Sequence, residues 1–417
     1  MRETTKGISE KRAGQKSTFF ITGITSFLGS HIAVELLKKK YPVIALCRSK
    51  YDLSAAERIQ QRFQWLNFKG DSGLKIIEGE LSKPRFGLAP HEYHYLVENV
   101  NEILHCGANT SFKNEDKEKV ESVNIEGTNE VLKLAIESNC YFFHYMSTAF
   151  VVGKTERECL EEYSSQLEFN NPYERSKHIA EGKILAACKE NGIRINIFRP
   201  SIVYGHSKTG RSMLFNALYF PLRTLAYLKN VYERDIDRNN GKLAEKVGVV
   251  RTRTGKLHLP IRFDKVDNSV VNLIPIDYLT DACMAIIESN FENRVFNITA
   301  KKSRSAQEIY EWMERFLNIE GLCAVPPEDY ERQPKTALEK IFESYMDVYK
   351  PYVFDTKQFN NENTDKILRA KNIEFPELDY SIFEKCMNYA MEVNWGKKIF
   401  NFPPPVSEKV PEYATAQ

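Results

Sequence analysis

The chain has 417 residues, 42% of them hydrophobic and 27% charged, ordinary values for a folded globular protein that set aside collagen-like, disordered and membrane-embedded classes. Lys and Arg number 58 against 56 Asp and Glu, a formal charge of only +2, so overall charge gives no reason to expect a nucleic-acid partner. The length allows about two to four domains, or one large α/β unit with an appendage.

Residues 1–16 are polar and basic with no apolar run, which reads as a disordered basic arm and not as a secretory signal. From Thr18 onward, short β-branched runs alternate with longer helical patterns, the mark of βαβ units and a parallel sheet. Six strand-like runs end at Thr22, Cys47, Leu81, Ala108, Thr148 and Ser201. Recurring apolar faces predict helices over 27–40, 55–66, 123–138, 173–190 and 216–228. The first of these closes on Lys38, Lys39 and Lys40 before Pro42, charges suited to a helix C-terminus.

The expected fold is therefore α/β: a Rossmann-type doubly wound parallel sheet over residues 17–205, with a smaller C-terminal substrate-binding region. Beyond Ser201 the alternation breaks at a charged stretch around Glu233 to Lys246. A strand-like run at Val270 to Ile276 and helices over 277–288 and 306–317 suggest a cap woven back into the sheet across residues 206–417. Its helical extension ends in a Pro-rich tail. Eight cysteines occur singly with no CxxC pair, which favours reduced thiols, a cytoplasmic location and no structural metal. The longest apolar stretch, Met213 to Leu228, is broken by Pro221 and Arg223, and no transmembrane segment is expected.

Chemistry concentrates at two places. The first is TGITSFLG, Thr22 to Gly29, directly after a strand and opening a helix. There Gly23 permits a tight bend, Gly29 permits close helix–sheet packing, and Thr25, Ser26, Phe27 and Leu28 bring backbone amides and the positive helix end toward a phosphate. Ser26 stands where a third glycine is usual. An NAD site would place an acid after the second strand; Arg48 stands there instead, a guanidinium able to clamp a 2′-phosphate, so NADPH is the expected coenzyme. Glu80 and Leu81 fall where side chains reach an adenine, and Gly107 lets backbone pass close to the coenzyme.

The second place is a trio, with Thr148 ending the fifth strand and Tyr173 and Lys177 one turn apart on the next helix. A phenol there can protonate a carbonyl oxygen, Thr148 can donate to the same oxygen, and the ammonium is expected to lower the phenol's pKa.

On these residues, with HCGAN at His105 to Asn109, NIEGT at Asn124 to Thr128 and RPSIVYG at Arg199 to Gly205, the chain resembles the extended short-chain dehydrogenase/reductase superfamily from Thr18 to about Ala300. FLG in the glycine turn, LCRSK after the second strand, the segment from Leu81 to Phe112 and NLIPIDYLTDA at Asn272 to Ala282 look most like its thioester reductases and fatty acyl-CoA reductases. The resemblance implies an NADPH-dependent oxidoreductase with Thr148, Tyr173 and Lys177 as catalytic set and Pro200 beside the coenzyme. It implies reduction of an acyl thioester, linked to coenzyme A or a carrier protein, to aldehyde or alcohol, in a chain that could pair as a homodimer. Within it, Met213 to Leu228 either lines an acyl channel with Lys208 and Arg211 as phosphate readers at its mouth or packs as a plain core helix. A sugar-nucleotide epimerase or dehydratase, or a hydroxysteroid-type dehydrogenase, would use the same trio. A non-catalytic dinucleotide-binding scaffold would dispense with Tyr173 and Lys177.

Overall fold

The computed structural model describes residues 16–400, apart from 71, 156, 166–167, 265–268, 291, 347–348 and 354. Most of the expected N-terminal arm and the whole Pro-rich tail, residues 401–417, thus lie outside the described residues. Seven parallel strands form the main sheet: β1 (Phe19–Thr22), β2 (Val43–Cys47), β3 (Leu74–Glu78), β4 (Glu102–His105), β5 (Phe142–Met146), β6 (Arg194–Pro200) and β11 (Arg294–Ile298), in the order β11-β6-β5-β4-β1-β2-β3. The strand order reverses between β1 and β4, where Thr22 pairs with His105. In an open parallel sheet this is the place where ligands bind, outside the strands' carboxyl ends.

The sequence explains the layers. Residues of β1, β2 and β4–β5 are buried on both faces, as all-parallel strands covered by helices must be. One face is packed by the helices Phe27–Lys38, Ala55–Trp65 and Ile276–Ser289. The other is packed by Pro90–Asn99, Gly127–Glu137 and Pro172–Asn191. Local caps delimit these helices: Ser54 forms a capping box with Glu57, and Asn171 caps the Pro172–Asn191 helix, which ends at Gly192 in the left-handed region.

The second lobe has its own apolar core. It is built on a three-stranded sheet, β12-β9-β8, with β8 at Val250–Arg251, β9 at Leu257–Asp264 and β12 at Ile319–Val325. Two short strands, β7 (Ile202–Tyr204) and β10 (Leu273–Pro275), pair beside it. After the second lobe begins, the chain joins the main sheet through β11, which pairs with β6, and packs the Ile276–Ser289 helix on its face.

Two elements differ from expectation. The helix expected over 216–228 runs from Tyr219 to Asn239, well into the charged stretch. Its charges face outward while Tyr232 and Asp235 stay buried, and Asp235 accepts from the amides of Leu243 and Ala244 at the next helix start. The helix expected to begin at Val123 begins at Gly127, after a π-helical turn at Ser122–Glu126.

Candidate active site

The glycine turn follows β1. Gly23 has φ +74°, and a Cβ there would meet the Cys106 carbonyl carbon and the Gly107 nitrogen at 2.6 Å, so only glycine lets this turn press against the end of β4. Ser26 takes the N-cap and its Oγ accepts from the Gly29 amide at 3.0 Å. The serine in place of glycine therefore serves the helix, and the Phe27 and Leu28 amides, with no intrahelical acceptor, stay directed out of the helix start. Such a turn fits a dinucleotide pyrophosphate.

Thr22 and His105 tie the turn to the sheet. Gly107 N donates to Thr22 Oγ1 at 3.1 Å, Thr22 Oγ1 lies 2.6 Å from His105 Nδ1, and His105 Nε2 lies 2.9 Å from Thr128 Oγ1, whose proton goes to the Asn124 carbonyl at 2.6 Å. Burial lowers the His105 pKa to about 3. A neutral imidazole with its proton on Nε2 satisfies every group in this chain.

The expected adenine and ribose side is more occupied than the sequence suggests. Arg48 donates to Glu80 at 3.1 Å, and Lys83 reaches the same carboxylate at 3.4 Å. Both Arg48 and Glu80 are thus engaged with each other at the surface, and Leu81 packs on Gly107 and Gly127. Sequence reading missed Arg58. It donates to Thr25 Oγ1 at 3.3 Å and to the Arg48 carbonyl, while Arg62 on the same helix face donates to the Thr25 carbonyl at 3.0 Å. Two guanidinium groups one helical turn apart and touching the glycine turn were the available signal. Burial, and next the charge of Arg58, lower the Arg62 pKa to about 10.

The trio gathers at the same edge. Thr148, two residues beyond β5, is extended and its Oγ1 accepts from the Phe150 amide at 3.3 Å, which leaves its own proton for another acceptor. Lys177 is 2% exposed and donates to the Met146 carbonyl at 2.6 Å, its ammonium 4.5 Å from the Tyr145 ring centroid. Burial lowers its pKa to about 8. Tyr173 lies one turn before it, its ring 5.8 Å from that of Phe112.

Here one expectation is overturned: the Tyr173 pKa is raised, not lowered, chiefly by burial and next by the Glu174 carboxylate. The Lys177 ammonium is spent on a backbone carbonyl, so the desolvation of phenolate prevails. The Tyr173 phenol is thereby held in its neutral form.

Asn124, in the π turn, holds the edge together. It accepts from Asn109 N at 2.7 Å and donates to Asn109 O and to Ser176 Oγ, each at 2.9 Å; Ser176 Oγ in turn donates to the Tyr173 carbonyl at 2.8 Å. A single π turn often marks a functional position, but it has no sequence period to betray it. Asn124→Ala should cost about 2–3 kcal/mol in urea unfolding, since buried partners lose their bonds together. Pro200 ends β6, and just beyond the end of the neighbouring β5 the amide of Ser147 donates to Phe198 O at 2.8 Å. Ser147 Oγ is buried without a hydrogen-bond partner among the described residues, as a residue facing a bound coenzyme would be.

Of the two expected phosphate readers, Lys208 is exposed and Arg211 is engaged elsewhere. The Arg211 guanidinium donates to the Trp65 carbonyl and lies 4.5 Å from the Trp65 ring centroid, a packing role that leaves it poorly placed to read a phosphate. In the Met213 to Leu228 stretch, Phe220, Leu222 and Leu225 enter the core, and Ala217, Leu218 and Pro221 line a cavity. No helix among the described residues is long and apolar enough to cross a membrane.

Residues 21–283 match the male sterility protein family. A nonribosomal peptide synthetase of Aspergillus campestris is 24% identical over 82% of this chain and 31% of its own length. A putative fatty acyl-CoA reductase of Drosophila melanogaster is 26% identical over 64% of this chain and 51% of its own. The chain thus spans under a third of the first relative and about half of the second. Among solved structures, the terminal R domain from the myxalamid PKS-NRPS biosynthetic pathway superposes with a TM-score of 0.72 at 21% identity, covering 93% of both chains. At that identity the likeness establishes the fold.

Proposed function

The chain belongs to the male sterility protein family, and on that premise we propose that it is an NADPH-dependent reductase of acyl thioesters, presented on coenzyme A or a carrier protein, yielding aldehyde or alcohol. The observation that supports this reading is that Lys177, one turn after Tyr173, donates to the Met146 carbonyl two residues before Thr148, at the same C-terminal sheet edge as the glycine turn after β1, with a wall of aromatic side chains beside Tyr173. Phe112, Phe150 and Tyr352 form that wall, which suits an apolar acyl group better than a sugar. The relatives' names, a peptide synthetase and a putative fatty acyl-CoA reductase, agree with it.

A bound nicotinamide would supply the hydride to the thioester carbonyl carbon. The chain's own residues do the rest. Tyr173 and Thr148 donate hydrogen bonds to the carbonyl oxygen, and these bonds strengthen as charge gathers there. The buried Lys177 ammonium, fixed on the Met146 carbonyl, keeps a positive charge beside the same edge. Loss of thiolate needs little acid help; if the aldehyde is reduced further, its alkoxide needs a proton and Tyr173 is the donor. Arg48 and Arg58 would hold the 2′-phosphate, with Glu80 released from Arg48.

The test is anaerobic incubation with NADPH and a panel of acyl thioesters, free aldehydes and UDP-sugars, following absorbance at the reduced nicotinamide and identifying products. Thioester-dependent oxidation with thiol release is expected; turnover of UDP-sugars alone would overturn the reading. The coenzyme assignment has its own check. Arg48→Glu and Arg58→Glu should each lower the NADPH-over-NADH ratio of kcat/KM by about 10- to 100-fold, the value of a charge-assisted bond to phosphate.

A further inference from the structure

The C-terminal lobe sends one short turn, Lys350–Val353, to the site. Tyr352 on it is 4% exposed. Its ring packs 5.3 Å from Phe112 and, edge on, 4.8 Å from Phe150. Its hydroxyl donates to Glu174 Oε1 and accepts from Asn171 Nδ2, each at 2.5 Å. Glu174 is fully buried and adjoins Tyr173 in the chain, so the ring is latched to the helix that carries the proposed acid. Phe112 is the only ring between Tyr352 and Tyr173 among the described contacts.

Tyr352 also lines a cavity of about 40 Å³. The remaining walls are apolar, with Ile202, Leu218, Val271, Ile309 and Met313 among them, and Tyr173 is not one of them. A void of this size has room for about three water-sized groups, and its apolar lining suits the terminal methylenes of an alkyl chain. The latched Tyr352 ring borders both this void and Phe112, the ring beside Tyr173.

We propose that Tyr352 is the specificity-determining residue for acyl length: its ring is the partition that limits the chain attached at the reacting carbon, and the apolar cavity behind it takes longer chains only when that ring is removed or turned. This rests on the thioester reading above. Each methylene that gains a buried place is worth about fourfold in affinity, so joining the cavity to the site should favour long chains steeply.

The experiment compares butanoyl and dodecanoyl pantetheine thioesters with the full chain and NADPH. Tyr352→Ala should raise the dodecanoyl-to-butanoyl ratio of kcat/KM by about 50-fold or more, mainly through a lower KM for the long chain. Tyr352→Phe, which keeps the ring and loses the latch, should leave the ratio near the wild-type value. Adding Ala306→Leu, which fills the cavity, to Tyr352→Ala should remove most of the gain. Should Tyr352→Ala fail to fold, Tyr352→Leu carries the same expectation with less void. A folded Tyr352→Ala protein with an unchanged ratio overturns the proposal, as does a Tyr352→Phe protein with the same gain as alanine.

Calorimetry with butyl and dodecyl pantetheine thioethers separates this proposal from its premise. If the wild-type protein reduces no thioester, the functional reading fails, while preferential dodecyl binding to Tyr352→Ala would still support the partition and equal binding would overturn it.

Discussion

Tyr173→Phe is expected to lower kcat by about 10²- to 10⁴-fold, the range for loss of a positioned acid, with coenzyme affinity close to its original value. The reasoning is geometric. The Tyr173 hydroxyl makes no hydrogen bond to any described residue, so its removal strands no partner, and phenylalanine keeps the ring against Phe112. Folding stability should therefore change little, and the loss would belong to the reaction. Because burial and the Glu174 carboxylate hold the phenol above its usual pKa, the wild-type tyrosine stays protonated across the working range. Any alkaline loss of activity near pH 8 must then come from another group. Single-turnover kinetics and thermal unfolding on the same two proteins check both halves: equal turnover would remove Tyr173 from the mechanism, and a large stability loss would make the kinetic result uninterpretable as chemistry.

How much of this was readable in the sequence depends on distance along the chain. The glycine turn, the strand-end positions of Arg48 and Thr148, and the Tyr173/Lys177 spacing are local, and helix or strand periodicity carries them. Because all six early strands run parallel, their C-terminal ends had to share an edge. Arg58 was missed since its helix was read only for its apolar face. Tyr352 could not be read at all: nothing in its neighbourhood announces contact with Glu174.

The second lobe was hidden for a different reason. β9 alternates buried Leu257, Leu259, Ile261 and Phe263 with half-buried residues, a clear period of two, but Pro260 within it argues against a central strand. The structure resolves the conflict with a bulge. His258 pairs with Glu320 and Ile261 with Leu322, and the register shifts between them, so β12 passes Leu259 and Pro260 with Gly321 alone. Gly321 has φ +108°, and a Cβ there would lie 2.6 Å from the Leu259 carbonyl oxygen. The proline's missing N–H falls where the ladder is already interrupted.

Lys177→Met should make the protein more stable and nearly inactive. Lys177 titrates at about 8 in the folded chain against an ordinary 10.5, because its ammonium is buried. The unfolded chain therefore binds more protons than the folded one between those values, and wild-type stability rises with pH through that window. Below pH 8 both states are charged and the full penalty applies, up to about 3 kcal/mol. Methionine fills a similar volume and carries nothing to titrate, so the gain over wild type should be greatest below pH 8 and fade as pH approaches 10.5. Some of it will be returned through the Met146 carbonyl, which loses its bond from Nζ. Activity should fall by about 10²-fold or more, the cost of removing a preorganised charge from the edge where the oxyanion forms. In the wild type the same titration predicts a decline of kcat/KM above about pH 8, and Lys177→Arg, whose guanidinium stays charged, should abolish that decline in whatever activity it retains. Denaturant unfolding from about pH 6 to 10 with parallel rate profiles decides it. A methionine variant less stable than wild type at the acid end of that range would mean that the buried ammonium supports the fold, and that its place beside Tyr173 is structural.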